Sequence, residues 1–219
     1  MKVGTGRLRR RLEKYNVPFK LVKGWDSARI NPYRVNDMQG IVLHHTAGTN
    51  SLNYICFGNP YAPVRAAHFL VERDGTVQVC SGSGAYHAGR GGPWKITKSL
   101  TIPKDSGNSR LYGIEIESLG KNPRVGWDEW PDGMTPKQVV STALLCVALL
   151  DAMRPGPGVF KAGRVTLHRL WAPRRKPDVR QDVDWWHDVI NLALKFRKNT
   201  ERAEAEIRAY ISAHPKGQA

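Results

Sequence analysis

At 219 residues, of which 41% are hydrophobic, the chain has enough apolar material for one core with appendages, or at most two small domains. Its formal net charge of +15, from 34 Lys and Arg against 19 Asp and Glu, predicts attraction to polyanions such as nucleic acid, anionic membranes or cell-wall polymers, unless it serves only solubility. No apolar run approaches the roughly 18 residues of a membrane span, the basic N-terminus leads into no secretory signal, and three cysteines without a CxxC spacing exclude a zinc finger.

Residues 1–36 are basic and mixed. Leu8, Leu12 and Tyr15 can line one face of a short helix ending before Pro18, and the rest reads as an irregular lead-in. This is expected to be an N-terminal extension rather than a domain, lying over the core or binding an anionic surface. Residues 40–46 follow as the first core strand: Ile41, Val42 and Leu43 lead into His44 and His45. From Thr46 to Pro63 the composition is that of a loop. Ala66 to Val71 reads as a strand, and Asp74-Gly75 is a hairpin turn signal before the return strand with Val77 and Val79. A Gly-rich loop holds Tyr86-His87-Ala88-Gly89, and Lys95 to Arg110 reads as a polar surface insertion.

Leu111 to Ser118 alternates, so that Ile114 and Ile116 point one way and Gly113, Glu115 and Glu117 the other. Lys121 to Gly133 is expected to be a loop with Trp127 and Trp130. Thr135-Pro136-Lys137-Gln138 is a capping-box helix start, followed by apolar residues at helical spacing from Val139 to Leu150 and stopped by Pro155-Gly156-Pro157-Gly158. Arg164 to Leu167 is a last core strand. A second helix runs from Asp182 to about Lys198, with Trp185, Val189, Ala193 and Phe196 on one face, and the charged segment from Glu201 to Ala213 reads as helical. The fold class is α/β: a central mixed sheet flanked by helices. The expected organisation is an extension over 1–36, a catalytic domain over 37–198 and a tail over 199–219. Cys146 falls in a helical pattern and reads as a core thiol. The sequence leaves open whether Cys56 and Cys80 pair, and the chain reads as made in a reducing compartment.

His44 ends one short apolar run and His168 another, and Asp178 follows His168 in a Pro-rich loop with Lys176. Two His and one Asp form a three-ligand set with an open fourth position, the pattern of a catalytic zinc. If the strand face of Glu115 and Glu117 borders such a cleft, one of the two is a candidate general base. Without that cleft, both glutamates would belong to a solvated face.

These residues carry a resemblance. Ile41-Val-Leu-His-His-Thr-Ala-Gly48, Ala67-His-Phe-Leu-Val-Glu-Arg-Asp-Gly-Thr76, Tyr86-His-Ala-Gly89, Tyr112-Gly-Ile-Glu-Ile-Glu117, and His168 with Lys176 and Asp178 occur in the order found in type 2 N-acetylmuramoyl-L-alanine amidases. That family shares its fold with the peptidoglycan-recognition proteins and includes phage endolysins. The resemblance implies zinc held by His44, His168 and Asp178, with His45 a neighbouring or core residue. It implies that Glu115 handles the proton of the attacking water, that Lys176 steadies the oxyanion, and that His87, Tyr86 and Thr46 contact substrate. Relatives with a tyrosine just before the second-strand His-Phe differ from this chain, which has Ala67 there. The expected partner is peptidoglycan, joined through the basic surface by anionic wall polymers, with no specific nucleic acid and no membrane, and the expected state is a monomer. The expected setting is a phage endolysin made in the host cytoplasm and released through a separate membrane pore. The alternatives are a bacterial wall-recycling amidase and a recognition module that binds muropeptides without cleaving them.

Overall fold

The computed structural model describes residues 5–27, 38–60, 64–119, 133–153 and 160–214. The expected loop with Trp127 and Trp130 and the Pro155–Gly158 helix stop lie outside the described residues. The helices are α1 (Thr5–Lys14), α2 (Leu52–Cys56), α3 (Gly107–Arg110), α4 (Pro136–Ala152), α5 (His168–Trp171), α6 (Val183–Lys195) and α7 (Thr200–Ala213). The strands are β1 (Phe19–Leu21), β2 (Gly40–His45), β3 (Phe69–Val71), β4 (Val77–Val79), β5 (Trp94–Lys95), β6 (Thr101–Ile102), β7 (Leu111–Ile116) and β8 (Val165–Leu167). Six of them form one mixed sheet in the order β1-β4-β3-β7-β2-β8, in which only β3 and β4 run antiparallel. The mixed sheet flanked by helices is the expected class.

Strand parity decides what each face of this sheet does. Ile41 and Leu43 of β2, Phe69 and Val71 of β3, Tyr112, Ile114 and Ile116 of β7, and Val165 and Leu167 of β8 join one apolar core with α1, α4, α6 and α7. The alternate residues face the other way. There Val42 and Leu111 pack with Ala88, Ile102 and Trp171, while Leu70 packs with Ile55, Cys56 and Cys80. His44 shares the parity of Val42, and Glu115 that of Leu111. The candidate site therefore lies on the face away from the long helices.

Helix α4 starts as its sequence predicts. The Thr135 hydroxyl accepts from the Gln138 amide while the Gln138 side chain accepts from the Thr135 amide. The Gln138 side-chain amide also donates to the carbonyls of Val71 and Glu117, fastening the helix to two strands. Gly75, at φ +90°, turns the β3–β4 hairpin and lies against Ser141 of α4.

Other segments depart from expectation. Within 1–36, Leu8, Leu12, Tyr15 and Val17 are buried in the main core, one of the two placements expected for that helix, but β1 was not expected and extends the sheet by pairing with β4. The loop after His45 contains α2. The strand expected from Ala66 begins only at Phe69, because the amides of Cys80 and Ser81 both donate to the His68 carbonyl and interrupt the regular ladder. The expected surface insertion buries Ile102, Gly107 and Asn108. Cys56 of α2 and Cys80, just past β4, form a disulfide with a Cα–Cα distance of 5.0 Å. Cys146 is a buried thiol, as expected.

Candidate metal centre and active site

His44 is delivered by the last turn of ladder on β2, where it stands opposite Glu115 of the parallel neighbour β7. His168 begins α5 directly after β8, the strand on the other side of β2. Asp178 returns to the same point from the following loop, held in part by the Arg169 amide, which donates to the Asp178 carbonyl. His44 Nδ1 lies 2.8 Å from His168 Nδ1, His168 Nδ1 lies 3.0 Å from Asp178 Oδ2, and His44 Nδ1 lies 3.6 Å from the same oxygen. All three residues are buried. Among the described residues they are the group of His, Cys, Asp or Glu side chains that could hold a metal.

The donor set fits zinc. Donor atoms about 2.1 Å from a tetrahedral zinc stand roughly 3.4 Å apart, and the observed separations bracket that edge. Burial, then the neighbouring His168, lowers His44 to about 3, so the ring is neutral and has a lone pair to give. His168 Nε2 lies 3.3 Å from the Ala88 carbonyl, which can only accept. The ring therefore donates there and leaves Nδ1 bare towards the other two groups.

Glu115 stands beside this set. Burial, then the charge of Asp178, raises its carboxyl to about 8, with Lys176 acting in the opposite direction. Its Oε2 is buried without a hydrogen-bond partner. Glu117 is engaged elsewhere: its Oε1 accepts from the Ser51 amide at 2.8 Å, at the start of α2. Lys176 is half-buried, and its charge acts on both His44 and Glu115. His45 has the opposite parity, and its Nδ1 accepts from the Ala47 amide.

The expected substrate contacts are arranged differently. The Thr46 hydroxyl donates to the Gly48 carbonyl and accepts from the Ser118 amide, tying the loop after β2 to the end of β7. Tyr86 packs against the Ile55–Cys56–Cys80 cluster. His87 is 7% exposed, and both of its ring nitrogens meet protein atoms. Two residues of this neighbourhood were not anticipated. Asn108 Oδ1 accepts from the amides of His87 and Ala88. Gly113 leaves space for the His87 ring: a Cβ there would lie 2.3 Å from His87 Cγ. A glycine inside an alternating strand was the available signal for such a close approach.

The sequence profile of the family described as N-acetylmuramoyl-L-alanine amidase matches residues 34–181, and no curated protein sequence matches. Among solved structures, AmpDH3 from Pseudomonas aeruginosa is 19% identical over 87% of this chain and 80% of its own, with a TM-score of 0.52. The same protein in complex with anhydromuramic pentapeptide is 18% identical, over 85% of this chain and 78% of its own, with a TM-score of 0.51. A mutant endolysin from Bacillus subtilis is 17% identical over 86% of this chain and 99% of its own, with a TM-score of 0.47. The likeness to AmpDH3 is one of fold.

Proposed function

This chain belongs to the N-acetylmuramoyl-L-alanine amidase family, and on that premise we propose that it is a zinc-dependent peptidoglycan amidase. It hydrolyses the amide between the lactyl group of N-acetylmuramic acid and the L-alanine of the stem peptide. The reading is supported above all by the meeting of His44, His168 and Asp178 within 3.6 Å of one another beside a buried carboxyl. Zinc held by His44 Nδ1, His168 Nδ1 and Asp178 would supply a Lewis acid and lower the pKa of the hydrolytic water.

The chain's own residues do the rest. Glu115 accepts a proton from the attacking water and passes it to the nitrogen of the leaving L-alanine as the carbon–nitrogen bond breaks. Lys176 offers an ammonium to the oxygen of the tetrahedral intermediate. With Ala67 in place of a tyrosine, proton handling rests on Glu115.

The setting we favour is a phage endolysin, made in the host cytoplasm, released through a separate pore, and held to anionic wall polymers by its positive charge as a monomer. A bacterial recycling amidase would use the same chemistry. A recognition module without activity is disfavoured by the completeness of the donor set and the presence of Glu115 and Lys176.

The test is to incubate the protein with isolated peptidoglycan and count new L-alanine amino termini against new reducing ends. Amino termini alone are expected, and Glu115→Gln should lower their rate by about 10²- to 10⁴-fold. Binding to walls without new termini would turn the reading to a recognition module, and new reducing ends would mean that a glycosidic bond is the target.

A further inference from the structure

His87 was expected to meet substrate, yet it lies behind His44. Its Nδ1 is 3.2 Å from His44 Nε2, and its Nε2 is 2.9 Å from the Leu111 carbonyl oxygen. A backbone carbonyl can only accept, so the proton of the His87 ring sits on Nε2. Nδ1 is then a lone pair facing His44, and His44 Nε2 must donate to it. The remaining nitrogen of His44, Nδ1, is therefore bare, and it is the atom that faces His168 and Asp178. We propose that His87 is a positioning residue that fixes the tautomer and ring orientation of His44, so that a single carbonyl, Leu111, sets the lone pair offered to the metal.

The surroundings are built to hold this relay. Asn108 Oδ1 takes the amides of His87 and Ala88 at 3.0 and 2.8 Å, which sets the backbone beneath the ring. Gly113 of β7 has no Cβ where the ring lies. His68 closes the far side, with its ring centroid 5.3 Å from that of His87, and its Nδ1 accepts from the Gly113 amide at 3.0 Å. The second ligand is oriented by the same loop, because His168 Nε2 meets the Ala88 carbonyl. Residues 87 and 88 thus set the bare nitrogens of both histidines, one through a side chain and one through a carbonyl. Partners of this kind commonly change metal affinity by about 10- to 100-fold when removed.

The inference rests on reading His44, His168 and Asp178 as a metal set, and two experiments separate the two claims. The first is a two-bond proton–nitrogen correlation spectrum of the metal-free protein at neutral pH. Nε2-protonated His44 and His87 are expected, and an Nδ1-protonated form of either overturns the relay whether or not metal binds. The second compares His87→Asn, which keeps an acceptor near the position of Nδ1, with His87→Leu, which has a similar shape and no acceptor. Zinc affinity is measured by competition with a chromophoric chelator, and melting of the metal-free protein is followed in parallel. His87→Leu should bind zinc about 10- to 100-fold more weakly than the wild type, His87→Asn should recover most of that loss, and the two should melt alike. Equal zinc affinity in both variants and the wild type would overturn the proposal, as would equal losses in both. A wild type with the expected tautomers and no zinc affinity would defeat the metal reading instead.

Discussion

Single residues here are selected by parity and by what else they touch. His44 and His45 are adjacent in sequence, but only His44 shares a sheet face with Glu115 and meets His168. Glu115 and Glu117 are separated in the same manner. Glu115 is partly exposed with one buried, unpartnered oxygen, and Glu117 is buried and committed to the Ser51 amide. The His, His and Asp positions were legible in the sequence because each follows a local cue, an apolar run or a Pro-rich loop. Asn108 and Gly113 were not, because their roles depend on a loop brought in from residues 87–88. Gly113→Ala should push the His87 ring out of line with His44. Chelator competition is expected to show zinc bound about tenfold more weakly or worse, and an unchanged affinity would mean that the ring has room to move.

At the scale of elements, α1 does more than a basic extension would. Its Arg7 guanidinium donates to the carbonyls of Asp151 and Met153 at the end of α4, where the last turn's carbonyls have no partner within the helix. Lys14 and Tyr15 each donate to Asp151 Oδ2 at 2.8 Å, and Arg11 lies 3.1 Å from it. Burial pushes the Asp151 carboxyl up, but these neighbours outweigh it and hold it below its ordinary value. A carboxyl lowered on folding contributes stability above its unfolded pKa of about 3.9 and loses it as the pH falls through the folded value. Asp151→Asn should therefore melt about 2–4 °C below the wild type at pH 7, corresponding to roughly 1 kcal/mol for a partly exposed cluster. The gap should close below about pH 4, and a gap independent of pH would contradict this assignment. The helix itself was legible from Leu8, Leu12 and Tyr15, as was α4 from its capping box. β1 and α2 were not. They have three and five residues, too few for a period to show, and β1 exists only by pairing with a strand some sixty residues on.

For the whole molecule, composition and alternation made an α/β class legible, but the strand order β1-β4-β3-β7-β2-β8 rests on long-range pairing that no local pattern encodes. The positive charge is likewise a property of the whole. Part of it serves the fold, as Arg7, Arg11 and Lys14 do, and Arg9 pairs with Glu13 at 2.9 Å, while Arg10 remains exposed on α1. Deleting 1–36 would remove Leu8, Leu12 and Tyr15 from the core, so wall affinity is better tested by charge reversal. Binding to isolated walls should fall steeply with salt and should be weaker in an Arg10→Glu variant at low salt, with melting unchanged. Binding insensitive to both would exclude charge as the contact.

The measurement that bears most directly on the account is the release of L-alanine amino termini from peptidoglycan by protein stripped of metal with a chelator and then reloaded with zinc. The stripped protein should release none, and zinc should restore release in the wild type but not in Asp178→Ala. Release that persists without metal, or that zinc restores equally in Asp178→Ala, would contradict a zinc amidase built on His44, His168 and Asp178.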